Sequence, residues 1–92
     1  MQRVKIYGAG WCPYCTRAEQ LLKRKGVQDI DKVNVDESPE ERQKMMALTG
    51  RRTVPQIFIG DHHVGGFDEL ASLERAHELD ALLGTTENPS LA

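Results

Sequence analysis

Little in this chain advertises a specialised role. Its 92 residues include one Trp, two Tyr, two Phe and two Cys, and the formal net charge is only −2. A charge so close to neutral argues against nucleic acid, which calls for a strongly basic face. No run approaches the roughly 18 apolar residues of a membrane span. The start, Met-Gln-Arg-Val-Lys-Ile-Tyr, lacks the roughly 7–15-residue apolar stretch of a secretory signal. The expected compartment is therefore the cytoplasm, where thiols stay reduced and structural disulfides are rare. The length suits one domain. The basic run Lys23-Arg24-Lys25 reads as the solvated last turn of a helix, complementing its dipole, rather than as a phosphate site.

What is present is concentrated. Both cysteines fall in the stretch Tyr7-Gly-Ala-Gly-Trp-Cys-Pro-Tyr-Cys-Thr16. A bridge from Cys12 to Cys15 would close a very short loop. On the loop-entropy model it is worth about 2 kcal/mol, against about 3 for a 15-residue loop. Stability is a poor reason for the pair.

Residues 3–7 alternate in polarity and read as a strand. Pro13 suits the first position of a helix, with Cys12 at or beside the N-cap. Cys15, Ala18, Leu21 and Leu22 form one helical face, and Gly26 supplies the C′ residue. Residues 29–35 make a second strand. Ser38-Pro39-Glu40-Glu41 is a capping box, opening a helix that carries Met45 and Met46 as core filling and stops at Gly50. Residues 56–59 are a third strand, and Gly60-Asp61 turns it into a hairpin with residues 62–65. Phe67 and Asp68 open a third helix with Leu70, Leu73, Ala76 and Leu79 inward, continued by Leu82 and Leu83 and ended by Gly84. The domain thus spans 1–84, and residues 85–92 are expected to be a disordered tail. The order β-α-β-α-β-β-α predicts an α/β fold: two crossovers giving parallel strands, an antiparallel closing hairpin, and a four-stranded mixed sheet with helices on both faces. The histidines His62, His63 and His77 are expected on solvated faces.

The spacing of the cysteines suits exchange chemistry. Only the thiolate attacks, and about 3% of an ordinary thiol is ionised at pH 7. A helix start, with its unpaired N–H groups and positive dipole end, is where negative sulfur is favoured. Cys12 occupies that place and Cys15 lies one turn further in. Cys12 then forms a mixed disulfide with a partner, and Cys15 is within reach to displace it. A structural disulfide, a zinc site recruiting histidines, and an iron–sulfur cluster held by Cys12 from two subunits are the other readings. The zinc reading lacks paired ligand spacing.

With Cys-Pro-Tyr-Cys after the first strand, Thr53-Val54-Pro55 before the third and Gly65-Gly66-Phe67-Asp68 after the fourth, residues 2–83 resemble a glutaredoxin of the bacterial dithiol type. The resemblance implies a thioredoxin-like fold and a glutathione-dependent thiol–disulfide oxidoreductase acting on disulfide-containing or glutathionylated proteins, with glutathione as reductant, no metal and a monomeric state. It implies that Cys12 is the nucleophile and Cys15 the resolving thiol. Pro55 matches the family's cis-proline, and Thr53 and Val54 match the segment that hydrogen-bonds the cysteinyl part of glutathione. Gly66, Phe67 and Asp68 match the γ-glutamyl end, and Arg52 a family arginine near the glycine carboxylate. Tyr14 matches a groove wall near the sulfur. Two departures stand out: Ala9 replaces a frequent lysine and Ala47 a frequent glutamine or lysine. Arg51 and Arg52 are candidates to compensate. Trp11 is similar to the Trp-Cys dipeptide of thioredoxins. That feature and Ala9 motivate an alternative, an electron donor reduced by a flavoprotein thioredoxin reductase. The iron–sulfur carrier remains a third reading, although the Cys-Gly-Phe-Ser signature of that branch is absent.

Overall fold

The chain runs β1 (Val4–Gly8), α1 (Pro13–Arg24), β2 (Ile30–Asn34), α2 (Pro39–Thr49), β3 (Gln56–Ile59), β4 (His62–Gly65), α3 (Phe67–Arg75) and α4 (Leu79–Leu83). This is a computed structural model, and it describes residues 2–84. The expected tail, residues 85–92, lies outside the described residues.

Alternation along the strands sorts the core into two layers. Val4 and Ile6 of β1 and Ile57 and Ile59 of β3 pack with Ala18, Leu21 and Leu22 of α1, and with Leu70, Leu79 and Leu83 beyond. Tyr7 and Phe58 face the other way, where Val35, Met45 and Met46 cover them. The paired methionines are core filling, and helices flank both faces as expected. The fold is thioredoxin-like.

The strand order is β2-β1-β3-β4. β1 and β2 are parallel, with Gly8 opposite Asn34. β3 is antiparallel to β1, with Tyr7 opposite Gln56, and β4 is antiparallel to β3. Only the first crossover therefore yields a parallel pair, which corrects the expectation for the second. β2 ends beside Gly8 and β3 begins beside Tyr7, at the same end of the sheet. α2 returns the chain to the end it left instead of carrying it back across the sheet, so β3 has to run downward. The end of β1, the start of α1 and the start of β3 consequently meet at one edge.

A second correction concerns the third helix, which breaks into α3 and α4. His77 takes φ +61. Its N–H donates to the Glu74 carbonyl at 3.0 Å and that of Glu78 to the Leu73 carbonyl at 2.9 Å. These are the two bonds of a Schellman stop, with histidine in the left-handed place usually held by glycine. Ala76 is exposed rather than inward, while Leu79 and Leu83 remain buried. Lys25, at the end of α1, ties down both arms of the break, its Nζ lying 3.0 Å from Glu74 and 3.0 Å from Asp80.

Candidate active site

Cys12 is the N-cap of α1, and its sulfur accepts a hydrogen bond from the Cys15 N–H at 3.2 Å. Pro13 fills the first helical position, where a missing N–H costs nothing. The N–H aimed at sulfur and the dipole behind it favour negative charge there. On the other side, the Val54 carbonyl lies 3.8 Å from the same sulfur. Cys12 and Cys15 are free thiols, both buried. Gly8 makes room for the second: a Cβ at this position would sit 3.0 Å from the Cys15 sulfur.

The two thiols live in different surroundings. Burial, first, and then the hydrogen bond with Cys12 push the Cys15 thiol up from 9.0 to about 12. A raised value means that the folded state favours the neutral thiol. Its contribution to stability is therefore complete below pH 9.0 and is lost as pH climbs toward about 12. In a Cys12→Ser variant, iodoacetamide at pH 7.5 should label Cys15 far more slowly than a free thiol, with labelling rising only in strong alkali. Mass spectrometry of the folded and denatured variant measures this; equal rates in the two states would contradict the shielding described.

The remaining sequence-derived candidates come from three segments, the start of α1, the loop before β3 and the start of α3, and Val54 of the loop reaches the sulfur. Tyr14 is exposed on the first turn of α1, its ring 6.1 Å from that of half-buried Phe67 and beneath the Arg17 guanidinium at 5.2 Å. The Val54–Pro55 peptide is cis and Pro55 is buried. Gly66 abuts this loop, since a Cβ on it would meet the Pro55 carbonyl at 3.5 Å. Asp68 is exposed in the first turn of α3, and Arg52 is exposed in the loop before Thr53. The Arg52 carbonyl accepts from Arg42 Nη1 at 3.5 Å. Arg51 turns instead toward Glu69, 3.6 Å away. Trp11 is two-thirds exposed, and its indole N–H donates to the Asp36 carboxylate.

Three residues escaped the sequence reading. Glu69 accepts the Gly66 N–H at 2.7 Å, and that bond, reinforced by Arg51, holds its carboxyl below the usual carboxylate range. The Glu three positions after the N-cap was the available signal. Gln56 is fully buried, with its amide bonded to Thr53 and His63. His63 is half-buried against Phe58, ring centroids 5.0 Å apart, which corrects the expectation of a solvated histidine. Burial, first, and then the Arg51 charge keep its imidazole below the ordinary histidine value. His62 and His77 are exposed as expected. Among the described residues no group of three or more His, Cys, Asp or Glu is placed to hold a metal ion, and no helix is long and apolar enough to cross a membrane.

Known proteins are similar to this chain in sequence and in fold. The glutaredoxin family model matches residues 4–64. A glutaredoxin of Pseudomonas aeruginosa is 55% identical over 83 residues, covering 90% of this chain and 98% of its own. The solution structure of a Brucella melitensis glutaredoxin superposes with TM-score 0.80 at 46% identity, covering 96% of this chain and 95% of that one. The crystal structure of a buckwheat glutaredoxin–glutathione complex gives TM-score 0.81 at 28% identity, covering 90% and 77% of the two chains. Sequence, fold and a helix-capping thiol with its neighbour one turn below agree: the chain belongs to the glutaredoxin family of thiol–disulfide oxidoreductases.

Proposed function

We propose that the chain is a glutathione-dependent reductase of protein disulfides and glutathione mixed disulfides, working through Cys12 and Cys15 as a cytoplasmic monomer without a resident metal. The observation that carries this reading is the Cys12 sulfur, set between the Cys15 N–H and the Val54 carbonyl at a helix start. With a glutathionylated protein, the Cys12 thiolate attacks the glutathione sulfur. The S–S bond breaks, and the protein leaves as a thiol after taking up a proton. A second glutathione thiolate then attacks the Cys12-bound sulfur, giving glutathione disulfide and restoring Cys12. With a protein disulfide, Cys12 first joins the substrate. Cys15 loses its proton, attacks the Cys12 sulfur and expels the substrate as a dithiol. Two glutathiones return the two electrons.

The glutathione arm is supported by the meeting of the Thr53–Pro55 loop with Gly66 and by the buckwheat relative, solved with glutathione. In this reading Thr53, Val54 and Pro55 hold the cysteinyl part beside Cys12, and Gly66, Phe67 and Asp68 hold the γ-glutamyl end. A glycine allows close backbone approach there, and a carboxylate suits an ammonium group. Tyr14 walls the groove. Arg51 is engaged with Glu69, so Arg52 is the guanidinium assigned to the glycine carboxylate. The test is to oxidise the protein and offer it glutathione or a flavoprotein thioredoxin reductase. Rapid reduction by glutathione is expected; negligible reduction by glutathione with rapid reduction by the flavoprotein would overturn the proposal.

A further inference from the structure

Gln56 is the one buried polar side chain among the described residues. A primary amide removed from water is costly unless both its ends are matched. Here they are. Its Nε2 donates to the Thr53 carbonyl at 3.0 Å and lies 3.3 Å from the Thr53 hydroxyl. Its Oε1 lies 2.8 Å from His63 Nε2. Thr53 decides which end of the amide faces where, because a carbonyl oxygen only accepts and must meet the amide nitrogen. The amide oxygen then faces His63, and since it too only accepts, His63 Nε2 carries the proton. Phe58 holds the imidazole in this orientation by stacking at 5.0 Å.

The chain of bonds runs from the edge strand β4, through β3, to the loop whose next carbonyl stands 3.8 Å from the Cys12 sulfur. We infer that Gln56 and His63 are positioning residues that hold the Thr53–Val54 backbone in its docking conformation before a thiol ligand arrives. A loop already ordered need not be ordered on binding, so the pair acts on affinity. The inference rests on the glutathione reading above for its ligand, but the ordering of the loop is a property of the free protein.

His63→Phe keeps a ring against Phe58 and removes the Nε2–H, leaving a buried acceptor on Gln56 unmet. The Michaelis constant for the mixed disulfide of cysteine and glutathione is expected to rise about tenfold, in line with the cost of one unpaired buried acceptor. The value of kcat should stay within about twofold, because the Cys12 helix start is untouched. His63→Gln, which restores an amide donor, should recover most of the loss. Gln56→Leu combined with His63→Phe should be little worse than Gln56→Leu alone, since both changes delete one shared bond. Amide hydrogen exchange at Thr53 and Val54 in the ligand-free protein should quicken in His63→Phe. An unchanged Michaelis constant, or unchanged exchange at these two amides while the melting temperature falls, would reduce the pair to a structural contact and overturn the inference. Failure of the glutathione reading would show separately, as absence of turnover in the wild-type protein; the exchange measurement then still decides the role of the pair.

Discussion

Cys12→Ser is expected to lower turnover of a glutathione mixed disulfide by at least about a thousandfold, because a serine hydroxyl is a poor nucleophile without a base to activate it. Among the described residues, the groups that meet the Cys12 sulfur are the Cys15 N–H, the Cys15 thiol and the Val54 carbonyl, none of them a carboxylate or imidazole base. A thiolate needs none; an alcohol does. Cys15→Ser should behave quite differently. In the proposed mechanism the attack on the glutathione sulfur and the release by a second glutathione both pass through Cys12, so this variant should retain much of the activity on glutathione mixed disulfides. It should lose the reduction of protein disulfides, where an internal thiol has to expel the substrate. The Cys15 N–H survives the change, so the cap on the Cys12 sulfur persists. Steady-state rates of both variants on a glutathionylated peptide and on a protein disulfide measure this. Equal losses on the glutathionylated peptide would remove the division of labour between the two sulfurs.

Leu22→Ala should produce the largest loss of stability. Leu22 lies on α1 with no exposed surface, in the cluster that joins α1 to β1, β3, α3 and α4. Emptying such a site typically costs about 3–5 kcal/mol, the lost transfer free energy plus the cavity left behind. For a domain of this size that corresponds to a fall in melting temperature on the order of 15 °C. Urea unfolding should give a lower midpoint with an unchanged slope. Leu22 sits on the same helix as Cys12 but several turns away, so the folded fraction should keep its rate per molecule at low temperature. A loss below about 1 kcal/mol would mean that the site collapses or that the cluster is not close-packed. A large loss of rate in protein still folded would mean that α1 shifts as a unit and carries its sulfur with it.

Most element boundaries were readable because local rules agree with one another over short spans. Pro13 after Cys12 marks a helix start, Gly26 with φ +96 marks its end, and Gly60 with φ +59 marks the hairpin. Where the reading failed, the deciding partner was distant or the residue unusual. Nothing in the segment from Phe67 to Gly84 announces a stop at His77 as a glycine would, since histidine, although enriched in the left-handed region relative to most residues, adopts it only rarely. Lys25, far away in sequence, braces the two arms there. The direction of β3 depends on where α2 delivers the chain, which no periodicity encodes. His63 looked like one more polar residue on an edge strand; only Phe58 beside it and Gln56 beneath it remove it from solvent.

From the order of residues alone came the class of chemistry, the two sulfurs expected to carry it and the helix that joins them. All of that is encoded within a single turn, where backbone geometry dictates which atoms are neighbours. Tertiary structure alone decided the Val54 carbonyl against the sulfur, the Arg51–Glu69 pair and the buried amide of Gln56. Those contacts join segments that are remote along the chain, and they exist only once the sheet has set its register and the core has excluded water around them.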